Sequence, residues 1–285
     1  MVSCTSFAHE TALMTQATFT ERIVRREQII IALGLAIIIA LAWYYLFIGA
    51  GTGMSTIAMT TWQFPPPRPD IPMTGAWSAA YWVTMLLMWW VMMIAMMVPS
   101  AAPMILLYAR VHRHGQASGQ LPRVIVPTAY FAGGYLMCWL GFSALATALQ
   151  FALERLGHID GMMMWSTNRW LTAGLLIAAG IYQLSPFKSV CLKHCRSPAD
   201  FLSRHWLPGR LGAFRLGFDH GAYCVGCCWA LMLLLFAAGI MNVIWIAGLA
   251  IIVLLEKFAP VGAGLIVPLT SVLLIGAGLY VAVAQ

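Results

Sequence analysis

Residues 219–232 read DHGAYCVGCCWALM, so that His220, Cys224, Cys227 and Cys228 fall within nine positions of an otherwise strongly apolar stretch. At about 100° per residue on a helix, His220, Cys224 and Cys227 project within an arc of about 60°, and Cys228 stands on its edge. Convergent thiolate and imidazole donors suit a soft transition ion. Copper is the first expectation and zinc the second. Cys224-x-x-Cys227 also has the spacing of thiol–disulfide exchange, in which a thiolate attacks a disulfide sulfur. An electron relay through these thiols is therefore the second reading. The third is structural: cysteine packs as a small hydrophobe, and the chain would be an accessory subunit organising a membrane complex.

A second cluster, CLKHC, holds Cys191, His194 and Cys195. The two cysteines share a face if the segment is helical, and with the imidazole they make most of a Zn or Cu(I) ligand set. Further upstream, MLLMWWVMMIAMMVPSAAPM sets Met85, Met88, Met92 and Met96 on one stripe, with Met93 and Met97 flanking it. Pro99 and Pro103 should kink or break this helix. Counting helical rise puts Cys138, Met92 and Met96 at the depth of the thiols in 219–232, so Met92 or Met96 is expected to add a thioether. Asp219, beside His220 and four residues from Arg215, is expected to orient the imidazole or offset a metal's charge. Glu256, in LLEKFAP, is a second charged group of interest, because charge inside a span is costly. Met54, Met59, Met73 and Met162–Met164 are expected at exposed or interfacial places, as weak soft ligands outside the strong thiols.

These groups need elements to position them, and composition restricts the choice. Of 285 residues, 61% are hydrophobic and 9% charged, which points to an all-α, polytopic transmembrane bundle. Apolar runs meeting the roughly 20-residue crossing length lie at about 28–49, 79–108, 123–151, 167–186, 214–236, 239–257 and 262–283, about seven spans. The organisation expected is a cytoplasmic tail over 1–27, a first helix over 28–49, an outer Pro-rich loop over 50–78 and a metal-binding-type core over 79–285. An inner Cys/His loop at 187–213 belongs to that core.

The net charge of +7 does not call for nucleic acid, because the positions of the sixteen Lys and Arg explain it. With the N-terminus inside, Arg68, Arg155 and Arg169 alone fall outside. This positive-inside bias implies N-in/C-out in a bacterial inner membrane, with the bilayer as the obligatory partner. A reducing cytosol argues against a disulfide framework for these cysteines. No Ser-His-Asp set, P-loop or carboxylate pair stands out, so the chain is read as a metal-handling protein that transports, transfers or inserts its ion, and not as an enzyme.

The segments MMIAMMVPSAAPM, GIYQLSPFKSVCLKHCRSP and HGAYCVGCCWALM, with GIMN and EK after them, resemble a family of bacterial integral membrane proteins described as predicted metal-binding. The resemblance spans about residues 80–260. It implies that Cys191, His194, Cys195, His220, Cys224, Cys227 and Cys228 stand at motif positions, and it implies a small soluble protein or metallochaperone as partner.

Overall fold

The computed structural model describes residues 26–67, 76–114, 122–258 and 264–283. Among them the secondary structure is helical apart from one isolated bridge between Ile159 and Ser166. The helices are α1 (Arg26–Phe47), α2 (Ala79–His114), α3 (Pro122–Arg155), α4 (Arg169–Gln183), α5 (Pro186–Arg196), α6 (Pro198–His205), α7 (Gly209–Ala238), α8 (Val243–Phe258) and α9 (Ile266–Val283). Five of them (α1, α2, α3, α7 and α9) are long and apolar enough to cross a membrane, or six if α4 and α5 form one span bent by 63°. Seven were expected from the apolar runs. The difference lies in α4 and α8, whose 15 and 16 residues fall short of a roughly 20-residue crossing.

Local chemistry explains both short helices. The Ser185 hydroxyl accepts from the Lys188 amide at 3.2 Å and Pro186 opens the next helix, so α5 starts afresh after α4 ends. Between α7 and α8, Gly239 has φ 108°, a conformation that side chains disfavour. The Asn242 side chain then accepts from the Ile244 amide at 3.1 Å and starts α8. By contrast α2 runs unbroken through Pro99 and Pro103, so the break that these prolines made an expectation does not occur. The Met97 carbonyl in this stretch accepts from the Ser100 hydroxyl at 2.8 Å and from the Tyr135 hydroxyl at 3.1 Å.

Helix α7 is the most enclosed of the five long helices, while α1 and α9 are mostly uncovered and carry rows of exposed Leu, Ile and Val. Small residues let the inner helices close on one another, as membrane helix pairs generally require. A Cβ at Gly217 would overlap the Phe131 backbone, and one at Gly134 the Phe214 backbone, so α3 and α7 meet almost backbone to backbone. On the far side α4 crosses α9, where the Ser271 hydroxyl donates to the Gly180 carbonyl at 2.7 Å.

The loop after α1 turns back on itself and reaches α8. The Thr60 hydroxyl accepts from the Val243 amide at 3.2 Å, and Asn242 donates to the Thr61 carbonyl at 3.1 Å. Of the methionines expected at exposed or interfacial places, Met59 and Met164 are instead buried in the core, and Met73 lies outside the described residues. Met162–Met164 form a tight turn in which Asp160 accepts from the Met162 and Met163 amides at 3.0 and 2.7 Å. Within that turn Met162 is exposed, as expected, and Met164 is not.

One buried polar network ties together the C-terminal ends of α4 and α8, helix α5 and the first turns of α9. Glu256 pairs with Lys188 at 2.6 Å and accepts from Gln183 at 2.7 Å. Gln183 also donates to Thr270 at 2.9 Å and accepts from Lys188. Arg196 donates to the Glu256 carbonyl at 2.8 Å. Removing one member of such a pair leaves an uncompensated buried charge, at a cost of about 3–5 kcal/mol. Lys188→Met should therefore lower the thermal midpoint in detergent markedly, and Lys188→Met with Glu256→Leu should recover much of the loss. Equal melting of Lys188→Met and wild type would show that the pair does not hold these helices.

Candidate metal centre

The α4–α5 bend determines what the cysteines meet. It lays α5 along α7, so the two clusters that are separate in sequence become one group in space. Cys191 and Cys195 stand one turn apart on α5, and the segment is helical as their spacing required. The Cys191 thiol rests on the backbone of α7 at Gly226, where an added Cβ would lie 2.8 Å from its Sγ. Cys195 lies close to Cys227. On α7, Cys224, Cys227 and Cys228 are 0%, 2% and 1% exposed and lie within hydrogen-bonding reach of one another. Cys138 of α3 packs at Gly221, where a Cβ would stand 2.7 Å from its own Cβ.

A cation sits against this sulfur group. The Lys257 ammonium donates to Cys224 Sγ at 2.9 Å and to the Ser100 hydroxyl at 2.8 Å. Tyr135 OH lies 3.1 Å from the same sulfur. Cys228 Sγ contacts the Met97 thioether at 3.8 Å. The Cys227 and Cys228 thiols both donate back to the Cys224 carbonyl, at 3.1 and 3.0 Å. They are turned to the backbone and not to a common centre. Accordingly, among the described residues no group of three or more His, Cys, Asp or Glu side chains is arranged to hold a metal ion.

The other candidates fall in different places. His220 is buried among the rings of Phe131, Tyr135 and Phe201 at 6.2, 5.9 and 5.5 Å, one turn before Cys224, and its Nδ1 has no hydrogen-bond partner. Asp219 does not orient that nitrogen. It lines an open pocket with Cys191 and His205, because adjacent helical positions point about 100° apart. Arg215 and Asp219 form no ion pair, unlike Arg113 with Glu27 and Lys188 with Glu256. His194 stacks on Tyr223 at 4.3 Å, and its Nδ1 meets the Val190 carbonyl at 2.9 Å. Met92 and Met96 are fully buried, but the thioether set against a thiol is that of Met97, which the helical stripe left on its flank.

Sequence reading passed over Lys257 in favour of Glu256. Both lie at the end of the same apolar run, and cost alone does not separate them. Glu256 is consumed by Lys188 and Gln183, whereas Lys257, about 100° further round α8, meets Cys224. The enclosure of the group has a direct chemical readout. In folded, detergent-purified protein, a water-soluble maleimide should modify Cys191 before Cys224, Cys227 and Cys228, which should react only on denaturation. Peptide mass spectrometry showing equal rates for all four would contradict this packing.

Residues 86–281 match the PpoB2 family, described as copper chaperone. The match includes α9, which the motif resemblance left out. No curated protein and no solved structure matches the chain. The family so shown is copper-related and lends zinc no support, and the likeness to predicted metal-binding membrane proteins stands on its motifs alone. With well over half of its length matched, the chain belongs to the copper chaperone family.

Proposed function

We propose that the protein is a polytopic membrane copper chaperone that carries Cu(I) on the thiolates of Cys195, Cys224, Cys227 and Cys228. The observation that carries this reading is the meeting of thiols from α5 and α7 beside the Lys257 ammonium, with the Met97 thioether against Cys228. Thiolate and thioether are the soft donors that select Cu(I). A Cu(I) ion with two thiolates has a net charge of −1, and the Lys257 ammonium matches it inside an apolar bundle. A tetrahedral zinc site asks instead for four converging ligands, an arrangement that the described residues do not present. His220, with its unpartnered Nδ1 one turn away, is a reserve donor.

Loading proceeds by ligand exchange without redox. Each incoming thiol gives its proton to the departing thiolate of the donor, and copper remains Cu(I). Lys257 holds the anionic sulfur at Cys224, and Ser100 fixes the ammonium from the other side. The positive-inside pattern favours an N-in orientation in a bacterial inner membrane, with α5 and α6 at the cytoplasmic side. A small soluble protein or metallochaperone is the fitting exchange partner there.

One observation favours a second reading, a thiol–disulfide relay: Cys195 and Cys227 come from different helices and lie close together. The two readings separate in one experiment. Elemental mass spectrometry of purified protein loaded with Cu(I) should find near-stoichiometric copper that is lost when Cys224, Cys227 and Cys228 are changed to Ser. Lys257→Met should weaken Cu(I) binding by about tenfold to a hundredfold, the range typical of lost support around a metal ligand. Copper absent from folded wild type, with a reversible Cys195–Cys227 disulfide in oxidant, would replace the chaperone reading with the relay.

A further inference from the structure

The carrier thiols are enclosed, so copper needs a way to reach them. Beside them is an open pocket of about 460 Å³ lined by Cys191, His205, Asp219, Ala222 and Tyr223. A second cleft of about 280 Å³, lined by His194, Asp200, Arg204 and other residues of α5 and α6, shares His205 with it. The second is walled by α5 and α6, the polar helices of the chain, and the first lies where one residue of each of them faces Asp219, Ala222 and Tyr223 of α7.

Two features fit these cavities for a soft ion in transit. His205 Nδ1 meets the Phe201 carbonyl at 3.1 Å, and His194 Nδ1 meets the Val190 carbonyl at 2.9 Å. A carbonyl only accepts, so each Nδ1 carries the proton and each Nε2 keeps the lone pair that a metal uses. Such a backbone anchor is the usual support of a ligating imidazole. The second feature is Cys191. It lines the open pocket, yet its sulfur rests on Gly226, the residue next to Cys227. Gly226 is the one residue type that lets this thiol lie directly on the α7 backbone at that point.

We infer that the pocket bounded by Cys191, His205 and Asp219 is the port through which Cu(I) enters and leaves, and that Cys191 is the transfer thiol between the port and Cys227. The inference rests on the copper reading of the buried thiols. On the way out, the Cu–S bond to Cys227 breaks as the Cu–S bond to Cys191 forms, the Cys191 proton passes to the Cys227 sulfur, and copper remains Cu(I). Imidazoles at the mouth bind Cu(I) less tightly than thiolates, so affinity rises from His205 through Cys191 to the enclosed group. No three ligands converge at the mouth, so the ion passes without being trapped there.

The test follows release of copper from the Cu(I)-loaded full-length protein in detergent to excess bathocuproine disulfonate, with rates taken per bound copper. Cys191→Ser should slow release by about tenfold or more, on the scale of other changes to metal-site surroundings. Cys191→Met, which keeps a soft sulfur, should restore a good part of the rate. Gly226→Ala should also slow it, because the new Cβ pushes the Cys191 sulfur away while every thiol remains. Release at the wild-type rate from both Cys191→Ser and Gly226→Ala would overturn the port, as would a Cys191→Met variant no faster than Cys191→Ser. A wild type that takes up no copper would overturn the chaperone reading itself, and the port with it.

Discussion

The contact on which the site depends is an ammonium buried against a sulfur. Lys257 is 7% exposed, and its Nζ ends on Cys224 Sγ and the Ser100 hydroxyl. A cation taken into an apolar interior costs several kcal/mol unless an anion accompanies it. The carboxylate adjacent in sequence, Glu256, is occupied by Lys188. The titratable group that the ammonium touches is the Cys224 thiol, and the Tyr135 hydroxyl lies against the same sulfur. The bundle therefore holds a positive charge whose compensation falls to sulfur. A thiolate is also the form of cysteine that binds metal, so one interaction joins the stability of the interior to its chemistry.

Much of the remaining architecture positions that contact. Glu256 fastens the end of α8 to α4 and α5 through Gln183, Lys188 and Arg196, and Lys257 is the next residue, pointing about 100° away around the helix. The break after α4 serves the same end: a straight continuation would carry Cys191 and Cys195 away from α7, whereas the 63° bend returns them to it. Glycines on α7 at 217, 221 and 226 remove the side chains that would hold α3 and α5 at a distance. Close approach in an apolar bundle rests on such small residues, because lipid is as apolar as the helix surfaces it would replace.

The resting arrangement of the thiols bears on how a carrier works. Cys227 and Cys228 spend their protons on the Cys224 carbonyl, so the sulfurs are near one another without being aimed at a shared point. An enclosed, fully formed tetrahedral site would bind more tightly and exchange more slowly. Of the two cysteines of α5, Cys191 is the one that lines an open pocket.

The all-helical class and the thiol-bearing faces of α5 and α7 were legible from local signals, because composition and the 3.6-residue period act over a few turns. The starts of α5 and α8 at Ser185–Pro186 and Asn242 are equally local, though a hydropathy window smooths them into longer spans. What joined the pieces was not local. Lys257 meets Cys224 across 33 positions, and Met97 meets Cys228 across 131. A helical wheel places Met92 and Met96 on the better stripe but does not say which side of α2 faces α7. The choice of Met97, of Lys257 over Glu256, and of a single sulfur group over two separate clusters belongs to the tertiary structure. Periodicity shows which residues share a face; only the packing of helices far apart in the chain decides which faces meet.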